Sequence, residues 1–160
     1  MPSPQLRNNP SPQDHPHVEV FTAIGTIEHH VRMTVMAYLP PGMTYAHFEL
    51  LRHALRHGDG QTPAELAQVL LVTKGAVTNI LQKLEALGHI AVLADVADGR
   101  KKRVRITRSG IETANMIFRA MKTKTEALRD GFTDNEFRAA LPFLKALSTF
   151  LTEANGPEAA

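Results

Sequence analysis

The hydrophobic pattern of this chain is helical almost everywhere and changes to alternation in one short stretch. Apolar residues recur every three or four positions from Phe21 to Tyr38 and again from Ile111 to Leu128. Every second residue is apolar from Ile90 to Val96 and again from Val104 to Ile106, on either side of an Asp98-Gly99 turn, which is typical of a two-stranded hairpin. The sequence therefore predicts a mainly α protein with a small β-hairpin.

Proline and glycine divide the helical pattern into segments. Five of the ten prolines fall in the first sixteen residues, where they oppose any regular helix or central strand. Pro40-Pro41-Gly42 should end the first helix, and Pro142 should kink or split the last one. The expected segments are a Pro-rich disordered arm (1–16), an N-terminal helix (17–39), a compact lobe (43–108), C-terminal helices (109–153) and a tail (154–160).

Composition excludes several classes of protein. Of the 160 residues 43% are apolar, so we expect a globular core. The absence of cysteine excludes disulfides, thiolate chemistry and cysteine-based metal centres. The longest apolar runs have five residues, whereas a bilayer span needs about 20, and no export signal opens the sequence. We therefore expect a soluble, cytoplasmic protein with no membrane partner.

Residues 62–88 contain two short helices joined by a tight turn. Thr62-Pro63-Ala64-Glu65 is a capping box with proline at the first helical position, and it opens a helix to about Leu70. Thr73 is expected to cap a second helix that runs to about Leu87 and ends at Gly88. A short helix, a turn, a second helix and a hairpin in this order predict a winged helix-turn-helix.

The second of these helices has an apolar face and a polar face. At about 100° per residue, the apolar side chains from Val77 to Leu84 cluster on one side. The other side suits the major groove, where amides pair with adenine, threonine meets a thymine methyl, and lysine meets guanine or phosphate. An ordinary amphipathic helix is the alternative interpretation. The candidate DNA-binding residues of this helix are Thr73, Lys74, Gly75, Thr78, Asn79, Gln82 and Lys83.

Positive charge is concentrated beside this helix. The segment from Asp98 to Arg108 holds six basic residues and one acidic residue, whereas the rest of the chain has a net charge of −3. Such a concentration favours a polyanionic partner, and a basic hairpin can reach flanking phosphates or the minor groove. A solvated hairpin tip is the alternative. The candidate DNA contacts here are Arg100, Lys101, Lys102 and Arg103.

The stretch from Thr62 to Gly110 resembles the DNA-binding core of the MarR family of bacterial regulators. The helical matches are residues 72–78 and 84–90, and the wing match is Asp98-Gly99-Arg100 followed by Ile106-Thr107 and Gly110. Ile106 stands where the family usually has leucine. The resemblance implies long dimerisation helices on either side of the winged lobe, a homodimer, and a double-stranded, pseudo-palindromic DNA operator. It also implies that Asp98 supports the wing by orienting Arg100, which enters the minor groove.

Histidines mark two further candidate sites. His53 and His57 have a spacing that can place two metal ligands on one helix face, but a solvated stripe has the same spacing, so we predict no metal and no other cofactor. Members of the family often bind aromatic or anionic effectors near the hinge between the dimerisation helices and the DNA-binding lobe. The residues that would line such a site here are His29, His30, Arg32, Tyr45 and His47.

These features favour a dimeric, sequence-specific DNA-binding transcriptional regulator, with a repressor released by a small effector as the leading hypothesis. The alternatives are a metal-dependent regulator on the same fold and a winged helix that binds protein. The sequence lacks a Ser–His–Asp order, a phosphate loop, a dinucleotide fingerprint and a metal-hydrolase motif. We therefore expect no enzymatic activity.

Overall fold

The computed structural model describes residues 15–58 and 60–154. The predicted disordered arm and the predicted tail lie almost entirely outside these residues. The mainly α fold with one hairpin is confirmed. In chain order the elements are α1 (Pro16–Met36), α2 (Tyr45–His57), α3 (Pro63–Val69), α4 (Lys74–Ala86), β1 (Ile90–Ala94), β2 (Lys102–Ile106), α5 (Arg108–Ala127), a single 3-10 turn (Leu128–Asp130) and α6 (Asp134–Ala154).

Threonine caps fix where several of these helices begin, as the sequence predicts. At the start of α3 the Thr62 backbone N–H donates to Glu65 at 2.7 Å, and the Glu65 N–H donates back to the Thr62 hydroxyl at 3.2 Å. The Glu65 carboxylate accepts the Thr62 backbone N–H and also the Thr62 hydroxyl, and these two bonds lower its pKa. The same box opens α6, where the Thr133 N–H donates to Glu136 at 2.7 Å. Each cap satisfies backbone donors that the first helical turn leaves without partners.

The described residues up to Arg119 form one compact unit with an apolar core. Leu50 and Leu51 of α2, Leu66 of α3 and Leu84 of α4 are almost completely buried in it. The hairpin packs on α4 through β1 and on α2 and α3 through β2. Val104 of β2 also exchanges two backbone hydrogen bonds with residues 60 and 61, each of 2.9 Å. The base of the hairpin is therefore bonded on both sides.

The described residues from Ala120 to Ala154 form a second unit. The sequence predicts a kink or a split at Pro142, and the split does not occur, because α6 is one continuous helix through this proline. Proline removes its own N–H from the helical ladder, and the turns on either side of Pro142 are retained. None of the described side chains of α6 is buried. Across the described ranges, no helix is long and apolar enough to cross a membrane.

Gly110 allows α5 to approach the chain that leads into β1. A Cβ atom at Gly110 would lie 2.1 Å from the carbonyl oxygen of His89 and 2.9 Å from Cγ1 of Ile106. The first of these neighbours is backbone and has no rotamer with which to move away. The close packing of α5 on the hairpin therefore requires a residue without a side chain at this position.

We expect Gly110→Ala to lower the free energy of unfolding by about 1–3 kcal/mol, the usual cost of overpacking. Gly25→Ala is the matched control, because no atom lies within 4 Å of a Cβ at Gly25. In the middle of α1 alanine should stabilise by about 0.5–1 kcal/mol relative to glycine. Urea unfolding of both variants measures the difference, and equal stabilities would contradict the packing argument.

Candidate nucleic-acid interface

α4 presents its two faces as the sequence predicts. Val77, Ile80 and Leu84 are buried against the lobe. The Thr73 hydroxyl accepts the Ala76 N–H at 3.2 Å, which fixes the start of the helix. The seven candidate DNA-binding residues are all exposed, namely Thr73, Lys74, Gly75, Thr78, Asn79, Gln82 and Lys83.

Some of these polar groups have contacts within the protein. The Thr78 hydroxyl donates to the Lys74 carbonyl oxygen at 2.9 Å, which turns it toward the helix backbone. The Lys83 ammonium would lie 3.5 Å from a Cβ at Gly42, and its charge acts on His47. Lys83 therefore leans toward the start of α2, so it is less well placed for base contacts than Asn79 or Gln82.

A groove of about 320 Å³ separates α4 from the hairpin. Glu85 of α4 accepts the backbone N–H of Val92 at 3.1 Å, which ties the helix to β1 beneath the groove. The groove places an amide of α4 and a lysine of β2 on one surface, as simultaneous readout by helix and wing requires. Its lining residues are Pro63, Thr78, Leu81, Gln82, Glu85, Val92 and Lys102.

Asp95 organises the loop at the tip of the hairpin, a role the sequence analysis missed. One carboxylate oxygen accepts the backbone N–H groups of Ala97 and Asp98 at 2.8 and 3.0 Å. The other oxygen accepts the Arg103 Nε–H at 2.5 Å, and Arg103 also donates to the Gly60 carbonyl at 3.1 Å. Arg103, followed by the backbone donors, lowers the pKa of Asp95 to about 2.

This pairing changes the interpretation of two predicted wing residues. Arg103 donates to Asp95 and to the Gly60 carbonyl, so it supports the wing, and its predicted contact with DNA stays a prediction. Asp98 accepts the backbone N–H of Arg100 at 3.1 Å, while its other oxygen lies 3.9 Å from the Lys101 ammonium. Asp98 thus holds the backbone of Arg100, and its predicted pairing with the Arg100 guanidinium stays a prediction. Arg100, Lys101 and Lys102 are exposed.

The candidate effector residues are only partly brought together. The Arg32 guanidinium lies 5.9 Å from the centre of the Tyr45 ring and is paired with Glu28 at 2.7 Å. Burial, together with the charge of Glu49 and a hydrogen bond to it, raises the pKa of Tyr45. The Arg32 guanidinium therefore lies beside the Glu28 carboxylate, and the Tyr45 ring lies beside the Glu49 carboxylate. The sequence did not predict either carboxylate at this site. His29 and His30 are exposed on α1, with ring centres 5.8 Å apart.

His47 is a structural residue. It is 7% exposed, and its Nδ1 accepts the backbone N–H of Thr44 at 2.8 Å, so it caps the start of α2. Accepting this bond requires an unprotonated Nδ1. Burial, assisted by the charge of Lys83, lowers the pKa of His47. The prediction that His47 lines an effector site is corrected accordingly, because its ring is occupied at the helix start.

His53 and His57 contact each other and a glutamine. Their rings stack with centres 4.7 Å apart, and His53 Nε2 lies 2.8 Å from the Gln61 side-chain oxygen. Across the described ranges, no group of three or more potential ligands of the His, Cys, Asp and Glu types converges. The pair is explained by stacking and by the contact with Gln61.

A recognition helix preceded by a short helix and followed by a hairpin defines a winged helix-turn-helix protein. The MarR family model matches residues 42–101. An HTH-type transcriptional repressor of Mycobacterium tuberculosis is 33% identical over 115 residues, which cover 69% of this chain and 82% of the relative. The chain belongs to the MarR family, whose members are transcriptional regulators and not enzymes.

Solved structures of the family have the same fold. S. aureus MepR, in a DNA-binding conformation, matches with a TM-score of 0.70 at 21% identity, over 82% of this chain and 98% of MepR. Bordetella bronchiseptica BpsR, whose DNA binding is regulated by 6-hydroxynicotinic acid, matches with a TM-score of 0.66 at 20% identity. That match covers 81% of this chain and 98% of BpsR.

The His47 cap makes the stability of the lobe pH-dependent. Because the folded pKa lies below the ordinary value of 6.5, the unfolded chain takes up the proton first as pH falls. The stabilisation is complete above pH 6.5 and decreases from there toward the folded pKa. We expect the wild type to lose about 1 kcal/mol, the value of a cap, between pH 7.5 and 5.5. His47→Gln keeps an acceptor at this position without titrating, so its urea midpoint should change less. If both proteins lose the same unfolding free energy between these pH values, His47 is not the titrating cap.

Proposed function

We propose that this protein is a dimeric transcriptional repressor that binds a pseudo-palindromic DNA operator and is released from it by a small aromatic or anionic molecule. The observation that carries the proposal is the groove between α4 and the hairpin. There, the exposed amide of Gln82 and the exposed cation of Lys102 share one surface. The name of the Mycobacterium tuberculosis relative supports repression as the direction of regulation.

The two halves of this surface have different tasks. The exposed Asn79 and Gln82 are suited to bidentate pairing with adenine, so they would distinguish base sequences. Arg100, Lys101 and Lys102 are suited to phosphates or the narrow minor groove, which adds affinity without much sequence preference. Arg103 assists indirectly, because with Asp95 it fixes the loop that carries Arg100 and Lys101.

Substitutions in the two halves should therefore have different effects. Arg100→Ala should weaken binding to all DNA sequences by about 1.5–3 kcal/mol and reduce the salt slope by about one unit. Asn79→Ala should relax base preference at one position per half-site by about 1–3 kcal/mol. Fluorescence anisotropy on DNA selected from a random pool measures both effects at several salt concentrations. Arg138→Ala, at an exposed arginine of α6, serves as the charge control.

A winged helix that binds protein would give a different result. Wild-type protein that selects no DNA sequence and shows no salt dependence would refute the DNA-binding proposal. If Arg100→Ala leaves the DNA affinity and its salt dependence unchanged, the wing does not contact DNA, and α4 alone forms the interface. The two parts of the proposal can thus fail separately.

Exposed apolar side chains support the dimer. On α6 the exposed side chains include Phe137 at 48%, Leu141 at 48% and Leu144 at 40%. At about 100° per residue, the apolar positions share one broad side of the helix, and Arg138, Lys145 and Thr149 share the other. A large exposed apolar surface with a polar border is typical of a protein–protein interface. A second copy of the chain is the partner that two-fold operator symmetry calls for.

Leu144→Glu should produce a monomer. Each dimer would lose two buried leucines, each contributing about 1.5–3 kcal/mol, which raises the dissociation constant at least about 100-fold. Thr149→Glu introduces the same charge on the polar side of α6 and should leave the dimer intact. Light scattering at micromolar concentration distinguishes the two variants, and a monomeric wild type would refute the dimer. Circular dichroism checks that both variants are folded.

The effector part of the proposal centres on Arg32 and Tyr45. The guanidinium lies 5.9 Å from the centre of the half-buried ring, so one aromatic acid could reach both groups. Its carboxylate would pair with Arg32 while its ring packs beside Tyr45. The binding molecule would have to compete with Glu28 for Arg32. His29 and His30 are further candidates on the exposed side of α1. That BpsR responds to 6-hydroxynicotinic acid supports an aromatic acid as the class of ligand.

The test is to titrate aromatic acids, salicylate and 6-hydroxynicotinate among them, into the preformed protein–DNA complex. Millimolar acid should release the DNA from wild-type protein and from His57→Ala, a histidine outside the proposed site. Arg32→Ala and His30→Ala should need more acid for half release. Release that is indifferent to both substitutions would show that the site lies elsewhere, and no release at all would refute the class of ligand.

A further inference from the structure

Leu71, in the turn between α3 and α4, has an unusual backbone conformation. Its φ angle is +53°, and every other positive φ in the described ranges belongs to a glycine. The left-handed region brings Cβ close to the carbonyl oxygen, so branched and bulky residues rarely occupy it. The Leu71 side chain is also 83% exposed. This leucine therefore combines a strained backbone with an unburied apolar side chain.

Hydrogen bonds at the end of α3 hold the residue in this conformation. The Leu71 N–H donates to the Gln68 carbonyl at 3.2 Å, and the Val72 N–H donates to the Ala67 carbonyl at 3.0 Å. This pair of bonds is the Schellman arrangement, which ends a helix and normally has glycine where Leu71 stands. Glycine would meet every requirement of the backbone here without strain.

The folded monomer therefore gains little from this side chain. Strained positions persist where the strained group serves a function, and they cluster at binding sites. Leu71 stands two residues before Thr73, the cap of α4, in the turn that leads to the exposed residues Lys74 and Gly75. Leu71 therefore adds one apolar group to the exposed polar face of α4, at the N-terminal end of the helix.

The thymine C5-methyl group is the apolar feature of the major groove, and apolar side chains recognise it by contact. We infer that Leu71 is a specificity-determining residue that packs on a thymine methyl at one position of each half-site. The inference rests on the proposed DNA-binding function of α4. The strained conformation is retained because it directs the side chain away from the lobe and toward the base edges.

Three variants separate this role from a structural one. Leu71→Gly should raise Tm by about 2–4 °C, because the strain is relieved in a chain of this size. It should also weaken binding about five-fold to DNA selected by the wild type from a random pool. Leu71→Asn, which tolerates positive φ but is polar, should bind equally weakly. Leu71→Met keeps an apolar contact and should bind nearly as well as the wild type.

Uracil substitution identifies the methyl group. Each thymine of the selected DNA is replaced in turn by uracil, which removes the methyl group and keeps the base pair. One symmetric pair of replacements should weaken wild-type binding about five-fold and leave the Leu71→Gly affinity unchanged. The two changes together form a double-mutant cycle. If their effects on affinity are not additive, the Leu71 side chain contacts that thymine methyl group.

Several results would overturn the inference while the proposed function stands. They are equal affinities of the wild type and Leu71→Gly, a lower Tm in Leu71→Gly, and wild-type binding that is insensitive to uracil at every position. The last of these would point to a contact with the sugar–phosphate backbone. A wild type that selects no DNA would instead refute the proposed function, and the role of Leu71 with it.

Discussion

The Asp95–Arg103 pair determines which charges the hairpin presents. It joins the residue that follows β1 to the second residue of β2, and the remaining Asp95 oxygen accepts the backbone N–H groups of Ala97 and Asp98. One arginine is thereby neutralised within the protein, and the loop that carries Arg100 and Lys101 is given a defined shape. Because the pKa of Asp95 is about 2, the carboxylate stays charged at any ordinary pH. The basic surface of the hairpin depends on an acid that lies just outside its most basic segment.

The hairpin and α4 act together because several short contacts join them. Glu85 accepts the N–H of Val92, and the Thr107 hydroxyl donates to the Gly88 carbonyl at 2.6 Å. Gly110 then lets α5 close over the same region. These contacts fix the width of the groove that contains Gln82 and Lys102. An interface that reads a base and neighbouring phosphates at once needs this fixed separation, since both contacts must form in one docked geometry.

Local signals in the sequence predicted most of the fold. The caps at Thr62, Thr73 and Thr133 lie within a few residues of the groups they bind, so the spacing of residue types is enough to find them. The buried face of α4 followed from helical periodicity for the same reason. The role of Arg103 was not predictable in this way, because it depends on where Gly60 and Asp95 lie in three dimensions. His47 is a local cap, three residues after Thr44, but it has an imidazole where a capping box usually has glutamate or glutamine.

The bonds at the base of the hairpin have a consequence for its motion. Val104 is paired with Val92 across the hairpin and bonded to residues 60 and 61 on its other side, so β2 is an inner strand at this point. The Val104 N–H donates to the Gln61 carbonyl, so this amide can exchange its hydrogen with water only when the connection between α2 and α3 opens. The loop at 95–101 has no such second partner strand and is braced by its own turn contacts. Thermal motion of the wing is therefore expected to be small at the base and larger at the tip. The tip can thus adjust to grooves of different width while the base and α4 keep their positions.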